Sequence, residues 1–227
     1  MSRNVASAGP TIVTVTRVNF VYSMDDVAEL LRQHDACTNR KVGRPLPRLE
    51  VLKRAAVILA VTAWESFIED SIRNRATSNI ESASHPSDVR SLFNSVAQGW
   101  LEGKPKPTDL ANWAGTGWKG LLKNKLEKDL LAWNSPNSEN VRALSKRYLG
   151  QDLTTHWHWE RTTTTLAVRR LDALIRLRGQ VVHHGREAFN RTASIQRKQV
   201  VEASSLLNHL VECTEHALGI GPMDIDA

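Results

Sequence analysis

From Arg48 to Thr77 the chain runs without a glycine or a proline, and its apolar residues return every three or four positions. That period is the signature of an α-helix with an apolar face. Thirty uninterrupted residues predict one rod of about 45 Å. A rod of that length needs other elements along it to cover its apolar surface. Nowhere does the sequence supply a good run of alternating apolar and polar residues, so those elements are themselves helices. The expected fold class is all-α, a helical bundle.

The remaining punctuation fits this reading. Gly43-Arg-Pro-Leu-Pro47, Ser78 to Ser87 and Gly103-Lys-Pro-Lys-Pro107 are breaks, because proline ends a continuous helix. Residues 1–16, with a β-branched run from Thr11 to Thr16, read as a loose or short extended start. A first helix opens near Arg17, or at the capping-box-like Ser23-Met-Asp-Asp26. Further helices are predicted over Asp88–Trp100, Leu121–Trp133, from Asn137 or Ser138 to a Gly150 terminator, about 165–184 before Gly185, and about Thr192–Leu218. Trp113-Ala-Gly-Thr-Gly-Trp118 lacks phosphate-loop spacing and is a turn. The expected organisation is an N-terminal segment and helix (1–47), a helical domain (48–218) and an acidic tail (219–227).

Composition narrows the class. The chain has 227 residues, 41% hydrophobic and 24% charged, and two cysteines. That excludes a disulfide scaffold and wholesale disorder. No apolar run is long enough for a bilayer, and the first residues lack the apolar core of a signal peptide, so a soluble cytoplasmic protein is expected. The formal net charge of +6 is uneven. Arg161 to Val200 holds nine Lys/Arg against Asp172 and Glu187, while the residues after Val200 hold five acids and no Lys or Arg. Such a basic segment suits phosphate.

Two helical stripes break their own pattern. On the long helix, Ile58, Val61, Glu65, Ile68 and Ile72 share one stripe, with Glu65 as its only charge. On the basic helix, Leu171, Ile175, Arg178 and Val182 form another, beside Leu174, Leu177, Val181 and His184. A guanidinium among core residues needs acceptors. The two anomalies of opposite sign predict a Glu65–Arg178 pair. A third face of the basic helix carries Asp172, Arg176, Gly179 and His183. Glycine inside a helix costs about 1 kcal/mol against alanine, and it marks a bare spot where something can approach.

Arg178-Gly-Gln-Val-Val-His183-His184-Gly185 matches the R-x4-H motif of the HEPN superfamily, and His184 satisfies R-x5-H. The motif follows Thr154-Thr-His-Trp-His-Trp159, and an upstream helix reads Arg54-Ala-Ala-Val-Ile-Leu-Ala-Val-Thr-Ala-Trp-Glu65-Ser-Phe-Ile-Glu-Asp70. With Asn134 to Gly150, these segments resemble the RiboL-PSP-HEPN branch over about residues 48–218. The resemblance implies a HEPN-like bundle with extra helices and loops inserted between the core helices. It implies a homodimer that brings two motif helices together about a two-fold axis.

It also implies a metal-independent endoribonuclease without a cofactor. There the RNA 2′-hydroxyl attacks the adjacent phosphate, giving a 2′,3′-cyclic phosphate and a 5′-hydroxyl. His183 is then the catalytic acid or base, and Arg178 faces the phosphate or positions the histidine. Glu65, Gln180 and His184 are auxiliaries, and Arg169, Arg170, Arg176 and Arg186 contact RNA. A toxin or anti-phage role and an antitoxin or other protein regulator belong to the same family-level expectation. Gly179 departs from the polar residue that often follows the motif arginine. It keeps open the rival reading, a non-catalytic HEPN module that binds RNA, a nucleotide or a protein. On an ideal helix Arg178 and His183 lie about 140° apart, which favours a site completed by a second subunit.

Two further clusters stand out. His156-x-His158 invites a metal reading, but no acid or thiol lies near it in sequence at ligand spacing, so packing is expected and no metal. Lys104, Lys106, Lys119, Lys123, Lys125 and Lys128 form a second basic region that suits either an RNA backbone or a solvated surface.

Overall fold

The computed structural model describes residues 12–38, 49–104, 106–133, 135–183 and 195–220. The described residues form seven α-helices: α1 (Ile12–Thr38), α2 (Glu50–Ser82), α3 (Arg90–Glu102), α4 (Gly117–Leu131), α5 (Ser138–Leu149), α6 (Thr164–His183) and α7 (Arg197–Ala217). Short 3-10 turns cover Pro86–Val89, Pro107–Trp113 and Leu153–His156. No strand forms among the described residues; the one β-bridge joins Trp159 to Thr162. The all-α expectation is met.

The rod predicted from Arg48 is α2, and it is the axis of the bundle. It touches α1, α4, α5, α6 and α7. Its buried residues, from Ala56 and Val57 through Trp64, Phe67 and Ile72 to Ile80, are not confined to one stripe. The buried face is broad and drifts around the helix along its length, while Thr62, Ser66 and Arg75 remain exposed on the other side. It runs five residues past its predicted end, because Ile80 is fully buried and Ser82 bonds back to the Ser78 carbonyl at 2.9 Å. The polar run Ser78-Asn79 looked like a loop in sequence; packing of Ile80 overrides it.

α1 corrects the reading of the N-terminus. The β-branched residues from Ile12 are helical, not extended, and Ser23 is no cap. Its hydroxyl donates to the Asn19 carbonyl at 3.0 Å, the back-bond of a serine inside a helix. Phe20, Val27 and Leu31 enter the common core, which commits the whole segment to α2.

Two turns explain themselves locally. Asn137 caps α5, its side chain accepting from the Asn140 N–H at 2.8 Å, and Gly150 ends that helix at φ +71°, a conformation glycine adopts without strain. A Cβ at Gly117 would collide with the Asn112 carbonyl, so the Trp113–Trp118 turn depends on that glycine. Around it, α3 and α4 build a satellite aromatic cluster, with Trp113 5.3 Å from Phe93 and 5.4 Å from Trp100. α7 begins at Arg197 rather than near Thr192, and its stripe Val200, Ala203, Leu207, Leu210 and Thr214 is buried. The Gly43–Pro47 connection, residues 184–194 and 221–227 lie outside the described residues.

Trp64 is the central anchor. It is fully buried, donates from Nε1 to the Pro136 carbonyl at 3.0 Å, and meets Trp157 edge to face at 5.7 Å. Replacing it with alanine is expected to cost about 3–5 kcal/mol of stability, measurable by urea titration; a loss below 1 kcal/mol would remove it as the anchor.

A polar clamp joins α4 to α5. Burial of Asp129 opposes its ionisation, but hydrogen bonds from Lys125, Tyr148 and Arg147 outweigh that and hold its carboxyl below the usual range. A depressed carboxyl adds stability above its unfolded pKa and loses it as the pH falls through the folded value. Asp129→Asn should therefore lower the melting temperature at pH 7. Its deficit against the wild type should close on acidification below about pH 4; a pH-independent deficit refutes the charge argument.

Candidate functional site

The site is built on the second half of α6. That helix is pinned at three levels. Leu171, Leu174 and Val181 enter the core. Asp172 accepts from the Ser138 backbone N–H and hydroxyl, both at 2.9 Å, and so places a carboxylate at the start of α5, where the helix dipole favours it. Asp172 is thereby occupied in structure, not in the face it shares with Arg176 and Gly179.

The third pin is the predicted pair. Arg178 Nη2 lies 3.9 Å from Glu65 Oε2. The structure corrects the degree of burial: the Arg178 side chain is 32% exposed and that of Glu65 21%. The Arg178 stripe leaves the core at its C-terminal end, where Val182 is 48% exposed. Arg178 is a rim residue with a buried root, since its Nε is enclosed and finds no hydrogen-bond partner among the described residues.

The separation matters. Three guanidinium–carboxylate pairs that join distant parts of the fold close fully: Arg197–Asp35 at 2.8 and 2.9 Å, Arg147–Asp129 at 2.8 Å and Arg17–Glu215 at 3.0 Å, while the Arg73–Glu69 contact within α2 stays open at 4.0 Å. At 3.9 Å Glu65 attracts Arg178 without taking up its donors as hydrogen bonds. One turn along α2, burial raises the Glu69 carboxyl above its ordinary range; Arg73 opposes this, and Glu65 adds to it. Glu65 thus orients a cation whose fork, among the described residues, makes no hydrogen bond and can meet an oxyanion.

The other predicted residues divide between two sides of α6. Gln180 faces away from Glu65. With Arg170 and Arg176 it lines a groove between α6 and α7 of about 700 Å³. Arg169 is exposed outside that groove. His183 closes α6, and only its backbone is described; its register follows Gln180 by one turn. His184, Gly185 and Arg186 lie outside the described residues. Gly179 has open space where a Cβ would stand, so nothing among the described residues requires glycine there.

Sequence reasoning missed the partners of the groove. Trp159 stacks on His209 of α7 with ring centroids 4.8 Å apart. The aromatic residue was visible in sequence, but its contact spans fifty positions and no local signal announces it. Half of the second basic region is engaged within the fold: Lys119 donates to the Glu81 carbonyl, Lys123 pairs with the Glu81 carboxylate, and Lys125 with Asp129. His156 and His158 do meet a thiol and carboxylates in space, in a cavity with Cys213, Glu212, Glu215 and His216, which their sequence neighbours did not indicate. Among the described residues no three such groups are arranged to hold a metal ion. Nor is any described helix long and apolar enough to cross a membrane.

An all-α bundle is the fold expected of a HEPN module. The family model RiboL-PSP-HEPN matches residues 25–219, and the chain belongs to that family. No curated protein and no solved structure matches it.

The geometry separates a structural carboxylate from an orienting one. Asp172→Asn should cost about 1–3 kcal/mol, because two hydrogen bonds to a charged group are weakened. Glu65→Gln should cost no more than about 1 kcal/mol, because the pair is long and partly exposed. Thermal denaturation of both variants tests this, and a larger loss for Glu65→Gln would make the Arg178 pair a structural device.

Proposed function

We propose that the chain is a homodimeric HEPN endoribonuclease that cleaves RNA without a metal ion. The observation that carries this reading is Arg178: a cation on the rim of the motif helix, oriented by Glu65 yet left with unused donors. Its donors face a phosphate, and His183, one and a half turns further on, handles the proton. An imidazole with an ordinary pKa near 6.5 can take a proton and return it at neutral pH.

In this scheme a histidine removes the 2′-hydroxyl proton as that oxygen attacks phosphorus. The bond from phosphorus to the 5′-oxygen breaks, and an imidazolium protonates the leaving oxygen. Arg178 offsets the charge that builds on the non-bridging oxygens. The wide angle between Arg178 and His183 is met when a second copy supplies one of the two. Gly179 and the exposed Val182 give α6 an uncovered small-and-apolar strip on which that copy packs. A growth-arrest or phage-defence role, with a regulator that restrains it, extends the same reading.

The rival, a binding module without catalysis, has one observation in its favour. Gly179 brings no polar group beside Arg178, and Gln180 lines the other groove, so among the described residues the helper position is empty. RNA incubated in excess EDTA decides between them. The wild type should leave 2′,3′-cyclic phosphate ends, and His183→Ala and Arg178→Ala should each lose about a hundredfold or more in rate. Arg178→Lys should stay impaired because lysine lacks the fork, and Val182→Glu should yield monomers by light scattering together with lost cleavage. Equal cleavage by wild type and His183→Ala, with His184→Ala inactive, would move the role to His184. Binding without cleavage by the wild type would establish the rival.

A further inference from the structure

The α6–α7 groove lies on the opposite side of α6 from the Glu65–Arg178 pair, and the cleavage scheme does not use it. Its floor is apolar, with Leu174, Leu177 and Leu206. Its α6 wall carries Arg170 and Arg176. Arg176 has no ion-pair partner among the described residues, and Arg170 makes a 3.5 Å contact to the Thr162 hydroxyl. The acid on the opposite rim, Glu202, lies 3.6 Å from Lys198.

One end of the groove is closed by a preset aromatic stack. Trp159 and Thr162 exchange two backbone hydrogen bonds at 3.1 and 2.9 Å, closing a tight turn in which Arg161 takes φ +60°. That turn fixes the indole against His209, at 25° between planes. His209 Nδ1 is 3.3 Å from Glu212, and the imidazole remains 41% exposed. The stack is therefore half-open and lines one groove with two guanidinium groups.

We infer that this groove is a single-stranded RNA subsite, in which an unpaired base joins the Trp159–His209 stack and the adjoining phosphates lie along Arg170 and Arg176. The chemistry is that of strand-binding proteins, where aromatic faces accept any base and cations follow the backbone. The direction follows from the helix. Arg170, Arg176 and Gln180 advance toward the register of His183, about 20 Å from Arg170 along the axis. A strand anchored at the stack is led to the end of α6. A duplex keeps its bases paired and has none to offer, so the subsite selects single strands. The inference rests on the RNA reading of the protein and adds where the substrate binds outside the cleaved bond.

The test uses the full chain with a labelled single-stranded RNA oligonucleotide and the same sequence as a duplex. Binding is read by fluorescence anisotropy on a His183→Ala background and cleavage on the wild-type background. Trp159→Ala should weaken single-strand binding about tenfold or more, and Trp159→Phe should restore most of it. Arg176→Gln should weaken binding and lower its salt dependence. His209→Ala, on the exposed half of the stack, carries the same test should Trp159→Ala not fold by circular dichroism.

Unchanged binding in the Arg176→Gln and His209→Ala variants overturns the subsite, as does a duplex bound as tightly as the single strand. A nucleoside monophosphate that displaces the RNA at micromolar concentration also overturns it, in favour of a mononucleotide pocket. His183-dependent cleavage that ignores every groove variant defeats the subsite alone. Groove-dependent binding with no cleavage by the wild type defeats the ribonuclease reading alone.

Discussion

Everything in this fold depends on the enclosure of α2. Its Trp64 reaches across to the Pro136 carbonyl and meets Trp157, so the segment before α5 and the segment before α6 are both measured from one indole. Glu65 is the next residue. A charged side chain on such a helix emerges at the edge of the buried face, beside the exposed Thr62 and Ser66. The register that buries Trp64 also fixes the edge at which Glu65 emerges. The direction in which Arg178 is drawn is thus a consequence of core packing, and the orienting carboxylate moves only if the core moves.

The sequence made the bundle legible for a physical reason. Helical periodicity, breakers and caps are local, and here local preference and tertiary packing largely agree: α2, α5 and α6 begin within two residues of where the sequence places them. They disagree at four ends. α4 begins at Gly117, four residues before Leu121 and inside the segment that reads as a turn. The Ser78-Asn79 run has loop composition but is pulled into α2 by Ile80. Ser23 has the chemistry of a cap but lies inside α1, because Phe20 before it and Val27 after it pack on one core. At the start of α7, Ile195 and Gln196 stay outside the helix. The Glu65–Arg178 pair was readable because each residue breaks a stripe. The distance, which decides what the pair does, was not. Nor was the Trp159–His209 stack, because no period connects a turn to a helix fifty residues away.

Asp172 shows why a helical wheel is an incomplete guide to function. It shares a face with Arg176 and Gly179 and carries the charge expected of an acid–base group. Yet both its oxygens are engaged at the first turn of α5, where a carboxylate meets the helix dipole and a free N–H together. A group held by two short hydrogen bonds has little left to offer a substrate. Gln180, which no described partner engages, has that capacity, but it belongs to the groove on the other side.

The same criterion sorts the arginines. Arg17, Arg147 and Arg197 close on carboxylates within 3.0 Å and tie helices together. Arg178 stops 3.9 Å short, with its Nε enclosed and its tip at the surface. A structural ion pair gains by closing, because each partner then regains the hydrogen bonds it lost on leaving water. A pair kept open forgoes that gain. What it retains is a cation already desolvated on one side, already aimed, and still able to bond an oxyanion in the plane of its fork. Burial of the root restricts where the guanidinium swings, and Glu65 biases it without saturating it. Those two features, a restrained root and an unsaturated partner, are what preorganisation of a cation toward an anion requires.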